Sequence, residues 1–171
     1  MSVVNEPTNK NFLSPLGFTF SVKRLPTVNF FVTRVSLPGV SLGTAETPTP
    51  FITIPRTGRL QFSELQVTFK VDEDMKNYKE IYGWMNALGR VDGFESYSSI
   101  AAAEKTSGAG IYSDGMLGIL TSAMNPNILV TFANMFPSSI SDLEFNSQLA
   151  DVEYLEATAT FRFQSFKLED A

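Results

Sequence analysis

"SLPGVSLGTAETPTPFITIPRTGR", the segment from Ser36 to Arg59, decides what kind of fold this chain can adopt. Its four prolines and three glycines are too many for a strand inside a sheet, because proline donates no ladder hydrogen bond and glycine packs no side chain. Two interpretations follow: the segment pairs with another subunit, or it is a meandering loop that folds back over its own core. Both must account for apolar side chains that a solvated linker does not need, namely Val40, Leu42, Phe51, Ile52 and Ile54.

Period-two alternation of apolar and polar residues dominates the rest of the chain, and this period is typical of half-buried strands. The alternation predicts a first hairpin, in which the strand FTFSVK is followed, after a turn around Leu25-Pro26, by a strand from Asn29 to Ser36. It also predicts a turn at Asn125-Pro126-Asn127. The further predicted strands are Leu65 to Val71, Met116 to Ala123, Ile128 to Ala133 and Val152 to Lys167.

One amphipathic helix is predicted between the strands, with Asp74 as its N-cap and Gly89 at its C-terminal cap. Trp84 lies off the centre of the predicted apolar stripe, so it is either a flanking core residue or a contact with a neighbouring subunit. The stripe recurs at helical spacing and consists of Met75, Tyr78, Ile81, Tyr82, Met85 and Leu88.

The segment from Arg90 to Asp114 is rich in Ser, Ala and Gly and has no sustained periodicity. It predicts a long flexible loop, within which SSIAAAEK could form a helical turn or two. The 171 residues therefore predict a single domain with an N-terminal extension over residues 1–15. The predicted fold class is mainly β (α+β): an antiparallel β-sandwich or partly closed β-barrel with one amphipathic helix packed on its side.

The composition excludes most catalytic chemistry. The chain has no histidine and no cysteine, which removes histidine-based triads, thiol nucleophiles and the common zinc, haem and iron–sulfur sites. Two carboxylates could still act as acid and base, but Asp72, Glu73 and Asp74 lie beside a helix start, where acidic residues offset the helix dipole. The glycine-rich piece SGAGIYSDG lacks the lysine of a phosphate-binding loop. We expect no enzyme activity, no cofactor and no metal.

Charge and hydropathy restrict the partners. The net charge is −5 and the basic residues are scattered, which argues against tight binding of nucleic acid but not against a surface that DNA slides past. No stretch approaches the roughly 20 apolar residues of a membrane helix, so no membrane partner is expected. The first 17 residues contain no basic cap followed by an apolar run, which predicts synthesis and assembly in a cytoplasm.

The order of features in the sequence resembles the tail tube proteins of contractile-tailed bacteriophages. In that family a Leu-Pro-Gly-type turn, a long proline-bearing segment, a glycine turn, an aromatic residue and a Val-Thr-Phe strand precede the helix. Here the matching features are Leu37-Pro38-Gly39, Gly58, Phe62 and Val67-Thr68-Phe69. The C-terminal half, with its Phe136-Pro137 turn and closing aromatic strand, is also similar to the family. More distantly, the chain resembles the haemolysin-coregulated ring proteins of type VI secretion.

The resemblance implies a structural virion protein whose copies form hexameric rings that stack into the inner tube of a contractile tail. It implies tail sheath and baseplate proteins as partners, and phage DNA that passes through the lumen without tight binding. In such a ring, residues 36–59 are expected to lie across a neighbouring subunit or ring as an assembly arm. The expected contact residues are Val40, Leu42, Phe51, Ile52, Ile54, Arg56, Arg59 and Trp84.

Two other functions remain open from the sequence. A ring of the same fold at the baseplate or head end would initiate or terminate the tube, and the unmatched segment 90–114 is compatible with it. A monomeric β-sandwich binding module, for instance for carbohydrate, should expose aromatic residues in loops, whereas most aromatics here fall on alternating strand faces.

Overall fold

The computed structural model of the protein describes residues 10–90, 93–107, 110–146 and 154–170. These residues contain nine strands and three helices. In chain order the elements are β1 (Phe18–Val22), α1 (Pro26–Phe31), β2 (Val32–Ser36), β3 (Val40–Pro48), β4 (Thr53–Phe62), β5 (Leu65–Lys70), α2 (Lys76–Gly89), α3 (Phe94–Ser107), β6 (Ser113–Leu120), β7 (Pro126–Ile140), β8 (Glu156–Arg162) and β9 (Ser165–Asp170).

Strand β7 joins the two halves of the main sheet. Seven strands are hydrogen-bonded in the order β1-β6-β7-β8-β5-β2, with β9 also paired to β7. The first part of the 15-residue β7 pairs with β6 and β9, whereas its end, from Phe136 to Ile140, pairs with β8. All of these pairs are antiparallel, and the described strands do not close into a barrel. The predicted antiparallel β-sandwich with a helix on its side is confirmed, and the barrel alternative is not needed.

Asn134 marks the point where β7 passes from one half of the sheet to the other. Its backbone is left-handed, with φ of 54°, and the register of β7 against β6 shifts beside it. Asparagine tolerates this conformation better than most residues. Its side-chain amide also donates a 2.6 Å hydrogen bond to Gln164 Oε1, in the turn between β8 and β9. The bend in β7 is therefore held by a residue suited to it.

The core lies between the strand faces and helix α2. Strand β5 shows most clearly how one strand face enters this core. Its Leu65, Val67 and Phe69 are fully buried, whereas Gln66 and Lys70 are exposed. The alternation in FTFSVK and in Leu65 to Val71 predicted half-buried strands, and β1 and β5 each bury one face. The largest fully buried side chains are Trp84, Phe69, Phe132, Phe161, Leu25, Leu65, Ile81 and Met135.

The predicted first hairpin is wrong. Residues Pro26–Phe31 form the short helix α1, and β2 begins only at Val32. Strand β1 pairs with β6 and β2 pairs with β5, so the two strands are not partners. Pro26 occupies the first turn of the helix, where its fixed φ suits a helix start and its missing N–H costs nothing. Only Val28 of this helix is buried.

The predicted loop from Arg90 to Asp114 is also wrong for most of its length. Residues Phe94–Ser107 form the helix α3, and Ser113 already begins β6. Residues 91–92 and 108–109 of this segment lie outside the described residues. Ile100 is buried in the core, so α3 contributes to packing as well as connecting α2 to β6.

The predicted closing strand is divided into two strands. The predicted strand from Val152 to Lys167 consists of β8 and β9, and residues 152–153 lie outside the described residues.

Helix α2 is shifted from the prediction. It begins directly after Met75, whose backbone is left-handed, rather than after a capping Asp74. It continues through Gly89 and ends at a left-handed Arg90. The predicted turn at Asn125-Pro126-Asn127 does connect β6 with β7, although Pro126 already opens β7.

Candidate assembly surface

The proline-rich segment forms a separate two-stranded hairpin, which we call the hairpin arm (residues 40–62). Strands β3 and β4 pair only with each other, in antiparallel register from Val40–Phe62 to Pro48–Thr53. Every residue of β3 and every residue of β4 except Phe62 is exposed. The prediction that this segment stays out of the main sheet is correct. It pairs with itself, however, because prolines are tolerated in a hairpin whose strands are both edges.

A β-bulge and a hydrogen-bonded turn at the tip fix the shape of the hairpin arm. Between Leu42–Leu60 and Thr44–Thr57 the register shifts, and at this bulge the backbones of Gly43 and Gly58 approach closely. A Cβ on Gly58 would lie 2.8 Å from the Gly43 carbonyl oxygen, so only glycine fits there. At the tip, the Thr49 N–H donates to the Ile52 carbonyl at 3.0 Å and the Ile52 N–H donates to Thr49 Oγ1 at 3.2 Å.

An aromatic cluster anchors the base of the hairpin arm to the body. The Phe62 ring lies 5.8 Å from the Phe163 ring and 5.3 Å from the Phe166 ring, measured between centroids. Phe132, in β7, contacts the same two rings at 5.2 and 5.8 Å. The Ser63 N–H also donates a 2.9 Å hydrogen bond to the Gly39 carbonyl across the base. The arm is therefore attached at one end and projects from the body over the rest of its length.

The predicted contact residues of the hairpin arm are brought together on one element with their side chains available. Phe51, at the tip, is 94% exposed. Val40 and Leu42 share a face with Leu60 and Phe62, because directly paired residues of an antiparallel ladder and residues two apart lie on one side. The other predicted residues, Ile52, Ile54, Arg56 and Arg59, are exposed as well. Their role in assembly stays a prediction.

Trp84 is separated from this group and lies in the core. It is 2% exposed, and its indole N–H donates a 3.2 Å hydrogen bond to the Ile111 carbonyl. The guanidinium of Arg24 lies 5.1 Å from the centre of the indole ring, and burial lowers the pKa of Arg24. The sequence placed Trp84 beside the apolar stripe of α2, but it lies with Asn77, Ile81 and Ala87 on the buried face. As a contact with a neighbouring subunit Trp84 is a poor candidate, because its own fold already covers it.

Sequence reasoning missed two residues of the arm that the structure brings out. Leu60 is 49% exposed beside Leu42, and Phe62 forms the anchor. The signal was present in the alternation RLQF, which places Leu60 and Phe62 on one strand face. It was obscured because the segment was expected to end at Arg59.

Two other kinds of feature are absent from the part of the chain that the structure describes. Within the described residues, no three His, Cys, Asp or Glu side chains lie close enough together to hold a metal ion. Among the helices that the structure describes, none has the length and apolar character needed to cross a membrane.

The phage tail tube protein family matches residues 4–169. This chain belongs to that family. The tail tube protein is consequently a structural protein rather than an enzyme, as its composition predicted.

Solved structures similar to this tail tube protein come from contractile injection systems. The tube-terminating cap of the anti-feeding prophage has a TM-score of 0.69 at 16% identity, over 100% of both chains. A chain of the sheath–tube complex of the extracellular contractile injection system PVC, in its extended state, has a TM-score of 0.66 at 14% identity, over 95% of this chain and 94% of that one. A type six secretion system protein has a TM-score of 0.51 at 12% identity, over 90% and 82%. A comparison with curated protein sequences finds no match. At these identities the likeness establishes a common fold.

Proposed function

We propose that this tail tube protein is the repeating subunit of the inner tube of a contractile tail. Six copies close into a ring, rings stack into a hollow tube, and the tube carries phage DNA during ejection. The sheath surrounds this tube and the baseplate ends it. The protein therefore resides in the virion tail after assembly in the host bacterial cytoplasm.

The exposed hairpin arm is the observation that carries this proposal. Phe51 and Ile52 are 94% and 65% exposed at the tip of an element whose strands are hydrogen-bonded to no other described strand. Contiguous exposed apolar surface on a soluble subunit is typical of a protein–protein interface. Pro48 in β3 and Pro55 in β4 interrupt the free edges of the arm and so hinder random recruitment of further strands, which suits a subunit that must stay soluble before it assembles.

The asymmetry of the subunit supports a ring and a stack rather than a simple dimer. The arm is exposed along β3 and β4 and is hydrogen-bonded to no strand of the main sheet, so it is a surface distinct from the body. An arm on one copy that contacts the body of the next is a heterologous contact, which closes into a ring or continues as a polymer. Both outcomes are needed for a tube.

The charge of the protein supports a passive conduit. The net charge is −5, with 13 basic and 18 acidic residues. Tight binding of DNA requires clustered Lys and Arg side chains that contact phosphates. A weakly acidic subunit repels the DNA backbone, so DNA can pass a wall of such subunits without adhering to it.

A terminating ring of the same fold is the second candidate. The anti-feeding prophage cap is described as tube-terminating, and the similarity covers 100% of both chains. Such a ring would keep the lateral contacts of the tube but lack one stacking contact. This candidate differs from the first only in whether rings add to each other.

Size-exclusion chromatography and negative-stain electron microscopy of the purified full chain distinguish these functions. Long tubes with six-fold rings are the expected result. Single rings that never stack, at any concentration, would favour the terminating ring. A protein that remains monomeric up to the solubility limit would contradict both assembly functions and favour the monomeric binding module.

A further inference from the structure

A groove of about 400 Å³ crosses β1, β6, β7 and β9 on the face of the main sheet that points away from the core. Directly paired residues of an antiparallel ladder lie on one side of a sheet, so the paired residues that line this groove form a single row. One residue comes from each strand, and in order across the sheet they are Ser21, Met116, Thr131 and Lys167. We call this surface the sheet groove.

The sheet groove presents a cation without a counter-charge beside an exposed apolar side chain. Lys23 and Asp114 also line the groove, and Lys23 Nζ lies 3.9 Å from Asp114 Oδ2, so these two charges offset each other. Lys167 is exposed and makes no ion pair or hydrogen bond within the described residues. Met116 is 44% exposed. A segment that carries an acid next to an apolar residue would complement this surface.

The residues that follow β7 have this chemistry, and we call residues 142–145 the acidic–aromatic segment. The segment is held at its start, because the Ser141 N–H donates a 2.9 Å hydrogen bond to β8 and Leu143 packs against the core. Glu144 is exposed and has no ion pair or hydrogen bond within the part of the chain that the structure describes. The Phe145 side chain is 73% exposed.

We propose that the sheet groove receives the acidic–aromatic segment of a second copy of this chain, with Phe145 packed on Met116 and Glu144 paired with Lys167. This inference rests on the proposed function, because it requires copies to associate. It assigns a contact between subunits that does not involve the hairpin arm.

The segment cannot fill the groove of its own subunit. Thr131 of the groove and Asp142 of the segment are eleven residues apart along β7 and its continuation. At about 3.3 Å per residue, and allowing for the bend at Asn134, the two lie roughly 30 Å apart. The contact is therefore made between copies. Since the groove and the segment are different surfaces of one chain, it is head-to-tail and repeats from copy to copy.

The two pairs of residues can form together. Met116 and Lys167 are two strands apart in the row, which separates their Cα atoms by roughly 10 Å. Glu144 and Phe145 are consecutive, and their side chains can diverge to reach both. A methionine sulfur makes favourable contacts with aromatic rings. An exposed ion pair is weak by itself, so the burial of Phe145 and the repetition of the contact at every copy supply the rest.

Cysteine cross-linking tests the contact directly, because the parent chain has no cysteine. Single variants Thr131→Cys and Phe145→Cys, one of them tagged so that the mixed dimer is resolved by size, are assembled together and oxidised with diamide. A disulfide requires Cα atoms within about 7 Å, so we expect a mixed dimer about tenfold more abundant than in a control mixture of Phe145→Cys with Tyr82→Cys. Tyr82 is also exposed but lies on α2. A yield no higher than the control overturns the inference.

A charge exchange tests the ion pair without a disulfide. Lys167→Glu places two like charges together and should raise the protein concentration needed for assembly about tenfold. Adding Glu144→Lys restores the pair with its charges exchanged, and should return that concentration to within about threefold of the parent value. Both side chains are exposed, so the melting temperature of the subunit should not change.

Lys167→Glu/Glu73→Lys is the matched control for the exchange, because its two reversals also cancel and leave the net charge at −5. It should assemble as poorly as Lys167→Glu alone. Recovery in both double variants would mean that net charge alone governs assembly, and recovery in neither would mean that Glu144 does not meet Lys167. Either result overturns the pairing.

The outcomes separate this inference from the proposed function. If the parent forms rings or tubes but neither the cross-link nor the specific recovery is found, the subunits meet elsewhere and only this inference fails. If the parent never associates, both fail.

Discussion

At the scale of single residues, burial separates the side chains that hold the subunit from those available to a partner. Phe69 and Phe161 are both 0% exposed, and they lie on neighbouring strands in the centre of the sheet. Phe51 has the same side chain but is 94% exposed at the tip of the arm. Residues of identical chemistry therefore have opposite environments, which predicts different effects of substitution.

We expect Phe69→Ala and Phe161→Ala each to lower the free energy of unfolding by about 3–5 kcal/mol, through lost burial and the cavity left behind. Phe51→Ala is the matched control and should change the free energy of unfolding of the subunit by less than about 0.5 kcal/mol. Denaturant unfolding of a non-assembling preparation gives all three values. An equal loss of unfolding free energy at the buried and exposed positions would mean that the strand faces are reversed.

The bend of β7 gives a second test at this scale, through the left-handed backbone of Asn134. Asn134→Val should destabilise the subunit by about 1–2 kcal/mol, because a β-branched residue is strained at positive φ. Asn134→Gly relieves that strain and loses only the hydrogen bond to Gln164. Thermal melts should therefore rank the parent and the glycine variant above the valine variant. A valine variant as stable as the glycine variant would show that the backbone there is not left-handed.

At the scale of elements, the sequence predicted the strands better than the helices. Alternation identified β1, β5, β6 and β7 because one face of each is buried, and burial of one face is what produces a period of two. The helix α1 was missed because TVNFF is β-branched and aromatic, and its helical form depends on Pro26 and on contact with α2 rather than on propensity. Helix α3 was predicted only as a helical turn or two within SSIAAAEK, because Ile100 is its one buried large side chain among those described, which leaves no apolar stripe to detect.

The hairpin arm was also predicted only in part from the sequence. Except for Ser36, which ends β2, the sequence correctly set the Ser36–Arg59 segment apart from the main sheet, and it identified most of the exposed apolar residues of that segment. It could not predict the pairing of β3 with β4, because prolines at positions 48 and 55 suggested that no ladder forms.

The double variant Phe51→Ser/Ile54→Ser tests the arm as an element. Each side chain would contribute on the order of 1.5–3 kcal/mol when buried at an interface, and the loss repeats at every copy. We expect a soluble subunit with β-rich circular dichroism and the parent melting temperature, but no rings or tubes by electron microscopy.

Thr47→Ser/Thr53→Ser is the control for that variant, because it changes two exposed positions of the same strands without removing large apolar side chains. It should assemble like the parent. Unfolding of the Phe51→Ser/Ile54→Ser variant, with no separable defect in assembly, would mean that the arm belongs to its own core. Tube formation by that variant at parent concentrations would mean that the arm is not an assembly element.

Anchoring of the arm is a further prediction at this scale. Phe62→Ala should release the base of the arm from Phe163 and Phe166, because Phe62 is the arm's one ring in that aromatic cluster. Since the body keeps its own Phe132–Phe163–Phe166 contacts, the subunit should remain folded. Hydrogen exchange should then show faster exchange of the β3 and β4 amides with unchanged protection of β5 and β8. Loss of protection throughout would show that Phe62 is a core residue instead.

At the scale of the whole molecule, the net charge of −5 predicts how strongly the protein binds duplex DNA. Affinity for duplex DNA comes mainly from counterions released when Lys and Arg contact phosphates, so it requires clustered cations. Most basic side chains here are dispersed, and several are engaged by acidic partners, as Arg162 is by Glu64 at 2.7 Å. We expect no binding of duplex DNA above a neutral control protein at low micromolar concentration and about physiological salt.

A charge-reversed variant makes that negative result informative. Glu169→Lys/Asp170→Lys changes two exposed residues at the end of β9, close to Lys167, and moves the net charge from −5 to −1, since each reversal adds two. The new cluster of three lysines should give DNA binding that appears at low salt and weakens steeply as salt is added, in a filter or gel-shift assay. Salt-dependent binding by the unaltered protein would contradict a passive conduit, because DNA that adheres to every ring could not pass rapidly along a tube. If the parent does not bind DNA and the variant does, the acidic residues at the end of β9 contribute to the weak DNA affinity of the parent.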